Sequence, residues 1–248
     1  DHRDLHSFPT RRSSDLLKSS RLPGKMLEDV KGLPLIIATA KNAQLTGYPI
    51  LVAADDTKIM DVCKVHNIPC EMTPVDCQSG TDRLAFLTLK FDWQNKVILN
   101  VQGDEPILEQ EIMKKVVETL IKEDTDMSTA GVPLHSLEEW NNPNCVKLVT
   151  SNSRALYFSR AAVPFNRDNS NVIPKDLVFR HLGIYAYKSE ALKNWAKLAS
   201  SKIEEIEKLE QWRALENGWS MSAYVAKETK SIAVDTYEDL KRLREFLN

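Results

Sequence analysis

Hydrophobic and polar positions along the chain follow two periods. Short apolar runs bounded by turn residues alternate with longer stretches that carry an i, i+3, i+4 stripe. The clearest run is Lys96–Pro106, K-V-I-L-N-V-Q-G-D-E-P, in which Val97, Ile98 and Leu99 are continuous and Val101 extends them. Gly103 and Pro106 end it. An apolar run this short predicts a strand over Val97–Val101 buried on both faces, as in parallel sheets. A second buried strand is predicted over Ile50–Ala54. Helices are predicted over Leu33–Ala43, Thr57–His66, Thr81–Lys90 and Glu111–Ile121. In the last, Ile112, Met113, Val116, Val117, Leu120 and Ile121 share one face. Strands alternating with helices predict an α/β fold, a mostly parallel sheet with helices on both faces, built as one domain.

From Val146 the pattern changes. Short strands over Val146–Thr150 and Ala155–Phe158 flank the turn Ser151-Asn152-Ser153, and a further apolar strand contains Arg180–Tyr185. This reads as a β-rich region, about 151–187, inserted in the α/β chain, of the kind that covers a site or makes a dimer contact. One helix is predicted over Ile203–Leu215, with Ile203, Ile206, Leu209, Trp212 and Leu215 on one side. Its Glu204, Glu205, Glu207 and Lys208 read as a solvated face. Val234-Asp235-Thr236 precedes a last helix over Tyr237–Leu247, and Thr236 with Asp239 makes a capping box.

Composition narrows the function classes. The 248 residues carry a net charge of -2, with a pI near 6.3, so no basic field invites a nucleic-acid partner. The longest apolar run, Leu33–Ala40, contains Pro34 and Thr39 and falls short of the roughly 18 apolar residues of a membrane span. Cys63, Cys70, Cys77 and Cys145 form no C-x-x-C pair, which points to thiols in a reducing compartment. A soluble cytoplasmic protein is expected.

Candidate chemistry gathers at strand ends. Gln102, Asp104 and Glu105 follow the central strand, where open α/β sheets bind ligands. A carboxylate there can hold a divalent cation, because Mg2+ takes one or two carboxylates together with phosphate oxygens. A polar loop with a helix-capping Asp has the same local sequence. Asp235, at another strand-to-helix junction, is a second candidate metal carboxylate. The loop L-K-S-S-R-L-P-G-K places Arg21 and Lys25 around Gly24. Such a loop suits a triphosphate, with Arg gripping oxygens in pairs and Lys acting as a point charge. It is not a Walker loop, and no G-x-G occurs in the chain. In C-Q-S-G-T-D-R-L, Ser79, Gly80 and Thr81 can face a base, or Thr81 can simply cap the next helix. His181, between Arg180 and an apolar strand, reads first as a structural residue.

Eight motifs then occur in order: S-x-R-L-P-G-K, Q-S-G-T-D-R-L-A, V-I-x-N-V-Q-G-D-E-P, N-P-N-x-V-K, L-Y-F-S-R-A-x-V-P, R-H-L-G-I-Y-x-Y, I-E-x-x-E-x-L-E-Q-x-R and V-D-T-x-E-D-L. From about Leu17 to Asn248 the chain closely resembles the bacterial 3-deoxy-manno-octulosonate cytidylyltransferase family, also called CMP-Kdo synthetase. The resemblance implies a Rossmann-like nucleotidyltransferase fold, a homodimer and a cytoplasmic enzyme of lipopolysaccharide biosynthesis. It implies Mg2+-dependent transfer of CMP from CTP to 3-deoxy-manno-octulosonate (Kdo), with release of pyrophosphate. It places Arg21 and Lys25 on the CTP phosphates, Ser79, Gly80 and Arg83 near the nucleotide, and Asp104 and Asp235 on Mg2+. Gln102, Arg160, His181, Tyr185, Glu210 and Gln211 would line the sugar-acid pocket. Transfer at phosphorus needs positioning and charge neutralisation more than covalent help, which agrees with this set.

One departure stands out. The resemblance implies an opening strand ending I-P-A-R ahead of the phosphate loop. Counting back from Arg21 puts Leu16 in the place of that Arg, with Asp15 and Ser14 for Ala and Pro. Residues 1–16, D-H-R-D-L-H-S-F-P-T-R-R-S-S-D-L, have neither strand nor helix period and no apolar signal-peptide core. They resemble a translated sequencing adapter fused to a truncated gene. Burying an unpaired charge such as Arg11, Arg12 or Asp15 costs several kcal/mol, against a whole stability of about 5–15 kcal/mol. The segment is therefore expected to stay outside the sheet, leaving the first strand's slot empty and the chain unstable or inactive. Two other readings stay open. One is a cytidylyltransferase for a sialic-acid-like or amino-Kdo substrate, which R-H-L-G-I-Y and L-E-Q-x-R disfavour. The other is a non-catalytic CTP-binding protein.

Overall fold

A computed structural model of the chain describes residues 10–12, 22–77 and 79–248, so the role expected of Arg21 lies outside the described residues. The described residues fall into two compact units, and the chain leaves the first and returns to it twice. The first unit takes in the described residues up to Lys114 with Lys188–Ala196 and Lys230–Asn248. The second comprises Lys115–Tyr187 and Lys197–Thr229.

In chain order the first unit opens with β1 (Thr10–Arg12), β2 (Asp29–Val30), β3 (Leu33–Pro34), α1 (Leu35–Gln44), β4 (Leu51–Ala54), α2 (Thr57–Val65), β5 (Cys70–Met72), α3 (Gly80–Lys90) and β6 (Val97–Gln102). Strands run in the order β5-β4-β1-β6, all parallel. Ile98, Leu99, Asn100 and Val101 of β6 are buried, as its continuous apolar run requires. Helix α1 starts two residues later than predicted, because Leu33–Pro34 first pairs with Asp29–Val30. Pro34, extended and without an N–H to orphan, then admits the helix. Asp56 caps α2 by accepting from the Lys58 N–H at 2.7 Å. The cap of α3 is Ser79, whose hydroxyl accepts from the Asp82 N–H at 3.1 Å; Thr81, the expected cap, is buried inside the first turn.

The slot expected to be empty is filled. Thr10 pairs with Leu51 and Asn100, Arg11 with Val52 and Val101, and Arg12 with Gln102. Parallel pairing uses backbone N–H and C=O groups, which every residue but proline offers in full. Two facing strand edges, β4 and β6, therefore accept three residues whose side chains carry no strand signal.

Helix α4 (Gln110–Glu123) leads into the second unit, which contains β7 (Met127–Pro133), α5 (Leu137–Asn141), β8 (Lys147–Ser151), β9 (Arg154–Ser159) and β10 (Val178–Lys188). Helix α6 (Ser189–Trp195) belongs to the first unit, α7 (Lys202–Glu207), α8 (Gln211–Glu216) and β11 (Met221–Val225) to the second, and α9 (Tyr237–Phe246) to the first. The second unit's strands run β10-β7-β11-β9-β8, and β8 also pairs β10. Among the described residues only β11 and β7 are parallel there. The mostly parallel sheet expected for the whole chain thus holds in the first unit alone. The reason is local: Asn152 and Ser153, at φ 49 and 61, make the tight left-handed turn that reverses β8 into β9.

The helix predicted over Ile203–Leu215 is two helices. Lys208 adopts φ 53, ψ 47 and stops α7, leaving Ile206 81% exposed while Leu209 and Trp212 are buried. The Glu207 carbonyl that an uninterrupted helix would use is instead taken by the Arg160 Nε–H at 2.6 Å. Tertiary contact overrides the period. Among the described residues no helix is long and apolar enough to cross a membrane.

Candidate active site

In the first unit Lys25 stands between two acids. Gly24, at φ 72, makes the left-handed bend that starts the short 3-10 helix Lys25–Leu27. The ammonium of Lys25, only 3% exposed, donates to Asp104 Oδ2 at 2.7 Å and Asp235 Oδ1 at 3.0 Å. Burial pulls the lysine pKa down, but Asp104 and then Asp235 outweigh it, so the pKa lies above the ordinary 10.5. Backbone fixes both acids. The Val234 N–H donates to the Asp104 carbonyl at 2.9 Å, which sets the two acid-bearing segments side by side. Thr236 and Asp239 form the predicted capping box of α9, and the Asp235 N–H also donates to Asp239 at 3.2 Å. From α1, the Thr39 hydroxyl reaches the Gly103 carbonyl at 2.7 Å. Glu105 turns elsewhere, to the Ser231 hydroxyl, and Gln102, half-buried at the end of β6, accepts from the Glu105 N–H at 3.2 Å.

Arg83 is buried beside Ser79 and Gly80. It donates to Thr73 Oγ1 and the Pro74 carbonyl, each at 2.8 Å, and to Asp55 Oδ2 at 2.9 Å. It therefore ties together the segments that follow β4 and β5. Its Nε has no acceptor among the described residues.

The remaining expected residues, apart from Gln102, lie in the second unit. His181 Nε2 is 2.9 Å from Thr129 Oγ1, which is itself 2.8 Å from the Ile184 carbonyl. A hydroxyl has one proton. With that proton on the Ile184 carbonyl, Thr129 accepts from His181 Nε2–H and leaves Nδ1 as an acceptor. Burial first, then Arg180, pushes the imidazole pKa down to about 3, so the ring is neutral. Its neighbours are Phe158, edge-on at 5.1 Å, and Tyr185 at 5.4 Å. Glu210 stands at the start of α8 without a side-chain cap bond, and the Gln211 side chain after it is buried, with Nε2 lacking an acceptor among the described residues. Arg160 donates to the carbonyls of Glu207 and Pro143 at the end of β9.

The acids read as a solvated face divide. Glu204 receives Arg213 at two oxygens, 2.9 and 2.6 Å, and Glu207 receives the Ser159 hydroxyl at 2.7 Å and the Arg160 N–H at 2.8 Å. Glu205 alone of the three is exposed. Their presence in I-E-x-x-E-x-L-E-Q-x-R was the signal that periodicity missed.

A family model described as cytidylyltransferase matches residues 17–232. The chain belongs to the cytidylyltransferase family. A 3-deoxy-manno-octulosonate cytidylyltransferase of Neisseria meningitidis serogroup A is 40% identical over 237 residues, which span 92% of this chain and 93% of that protein. The Haemophilus influenzae protein of the same name is 39% identical over 239 residues, 92% and 94% of the two chains. A solved structure of CMP:2-keto-3-deoxy-manno-octonic acid synthetase complexed with CTP superposes with a TM-score of 0.85 at 29% identity, covering 98% of this chain and 97% of that one. This cytidylyltransferase therefore has the α/β nucleotidyltransferase fold of that synthetase.

Proposed function

We propose that this cytidylyltransferase transfers CMP from CTP to Kdo and releases pyrophosphate. The observation that carries the reading is the convergence of Asp104 and Asp235, from segments far apart in the chain, on one cationic centre at Lys25 Nζ. The relatives' shared name supplies the acceptor.

The two carboxylates fit Mg2+, which is held by one or two carboxylates plus phosphate oxygens rather than by an all-protein cage. Among the described residues no cluster of three or more His, Cys, Asp or Glu is built for a metal, so the rest of the shell would come from CTP and water. The Lys25 ammonium already stands in for positive charge there. Asp104 and Asp235 hold the ion, which supplies charge neutralisation to the triphosphate when bound. Lys25 and Arg21 take phosphate oxygens, and Ser79, Gly80 and Arg83 border the nucleotide. The anomeric oxygen of Kdo forms a bond to the α-phosphorus as the bond to the bridging oxygen of pyrophosphate breaks, and its proton leaves to solvent. In-line transfer of this kind gains mostly from alignment and fixed charge. Gln102, Arg160, neutral His181, Tyr185, Glu210 and Gln211 serve the sugar acid, with Arg160 for its carboxylate.

The enzyme acts in the cytoplasm as a homodimer through the β-rich second unit. Leu156, Phe165, Val172, Leu177 and Ile206 are exposed there, and exposed large apolar side chains are candidates for an interface. Light scattering should give twice the chain mass. Turnover with CTP and a panel of eight- and nine-carbon 2-keto sugar acids tests the chemistry: CMP-Kdo should form in preference and only with a divalent cation. Preference for a sialic-acid-like acceptor, or CTP binding without turnover, would overturn the reading.

A further inference from the structure

Three motifs meet at Arg160, and only one of them contains it. N-P-N-x-V-K supplies Pro143 and Lys147, L-Y-F-S-R supplies Ser159 and Arg160, and I-E-x-x-E supplies Glu207. Lys147 is fully buried. Its ammonium donates to the carbonyls of Asn142 at 2.9 Å, Cys145 at 2.5 Å and Arg160 at 2.7 Å. Burying a charge on carbonyls alone is costly, and the lysine pKa is lowered, chiefly by that burial. Glu207 holds Arg160 from both ends: its carboxylate takes the Arg160 N–H at 2.8 Å and its carbonyl takes Nε–H at 2.6 Å. The same carboxylate accepts from the Ser159 hydroxyl at 2.7 Å. NH1 donates to the Pro143 carbonyl at 2.9 Å, and NH2 reaches the Lys208 carbonyl at 3.5 Å.

A guanidinium has five N–H groups. Among the described residues Nε is committed to one carbonyl, while NH1 and NH2 each reach a single carbonyl and so each keep a second N–H. The arginine is fixed in place but not saturated. Were its task to tie α7 to β9, a lysine-free, fully paired arrangement would do so at lower desolvation cost.

We infer that Glu207, backed by Lys147, is a positioning residue that fixes the Arg160 guanidinium so that its remaining NH1 and NH2 hydrogens meet the carboxylate of the sugar acid. This rests on Arg160 binding the sugar acid, as proposed above. Pre-oriented pairs of N–H groups are what carboxylate recognition by arginine requires, and a loose side chain would lose rotamer freedom on binding.

Steady-state kinetics on the full chain, varying CTP and Kdo separately, test the inference. Arg160→Ala should raise the KM for Kdo by about tenfold or more while leaving that for CTP within about twofold, the size of a charged hydrogen-bonded contact. Glu207→Gln keeps the shape and the carbonyl but weakens the carboxylate's grip, and should raise the KM for Kdo about fivefold. Lys147→Met should shift the same ratio of KM values in the same direction. In the Arg160→Ala background, Glu207→Gln should change the KM for Kdo no further. A Glu207→Gln effect that persists in that background, or falls equally on CTP, makes Glu207 a general structural residue and overturns the inference. A strong Arg160→Ala effect with a silent Glu207→Gln overturns positioning alone. A silent Arg160→Ala overturns both the positioning and the assignment of Arg160 to the sugar acid.

Discussion

The two units use the same ion-pair chemistry to opposite ends. In the first, Asp104 and Asp235 share one lysine, and their side chains stay 16% and 45% exposed. In the second, Glu204 takes both ends of Arg213 with each side chain 11% exposed. One arrangement can exchange partners: acids that keep this much exposure can meet an incoming cation, and the lysine they hold can meet an incoming phosphate. The other is closed, since a bidentate pair satisfies both groups and any ligand would have to break it. Residue type therefore does not separate a working charge from a framework charge. Exposure does.

The largest effect expected from breaking this contrast is on turnover. Asp104→Asn and Asp235→Asn, each made alone, should lower pyrophosphate release by about a hundredfold or more, with the circular-dichroism spectrum unchanged. Near-normal rates at saturating Mg2+ in either variant would remove that acid from the site. Arg213→Leu should do the reverse, costing about 3–5 kcal/mol of stability by stranding Glu204 while the KM values for CTP and Kdo keep their ratio. Thermal or urea unfolding measures the first part and kinetics the second.

A smaller effect sharpens the first unit's side. Lys25→Met leaves two carboxylates facing each other without their cation, which disfavours the ionised pair. Added Mg2+ should then raise the melting temperature of the variant more than that of the parent, because the ion takes the place the ammonium held. Equal shifts would mean that the carboxylates do not share one ion.

The smallest effect concerns pH in the second unit. His181 titrates near 3 in the folded protein and at about 6.5 in an unfolded chain. Between those values the unfolded state binds a proton that the folded state refuses, so stability falls as pH drops from about 6.5 towards 3. His181→Gln should flatten that decline. Melting temperatures at neutral and acid pH should therefore lie closer together in the variant than in the parent.

Much of the first unit was legible because its signals are local. Strand β6 announced itself through three adjacent β-branched or apolar residues, α9 through its capping box, and Asp104 through its place just after β6. Asp235 was expected at a strand-to-helix junction, but the last strand before it, β11, ends at Val225 and only the helix follows as expected. The second unit hid more. Strand β7, M-S-T-A-G-V-P, mixes small and polar residues that are buried by neighbouring strands, so no period marks it. Strand β11 is hidden in the same way. The helix break at Lys208 left no trace in the sequence, and the group that takes up the Glu207 carbonyl there, Arg160, lies far back in the chain.

Composition, period and motif order determined by themselves that this is an α/β chain of the cytidylyltransferase family, with one acid just past the central strand, another just before the last helix, and a basic loop ahead of them. Those properties follow from nearest neighbours along the chain, where propensity and capping act. Tertiary structure alone decided that Lys25 joins the two acids, that Glu204 and Glu207 face inward, and that Thr10–Arg12 occupy a strand position their side chains do not advertise. Each of those depends on a partner supplied by another segment, and backbone pairing or a buried ion pair is indifferent to how many residues lie between its halves.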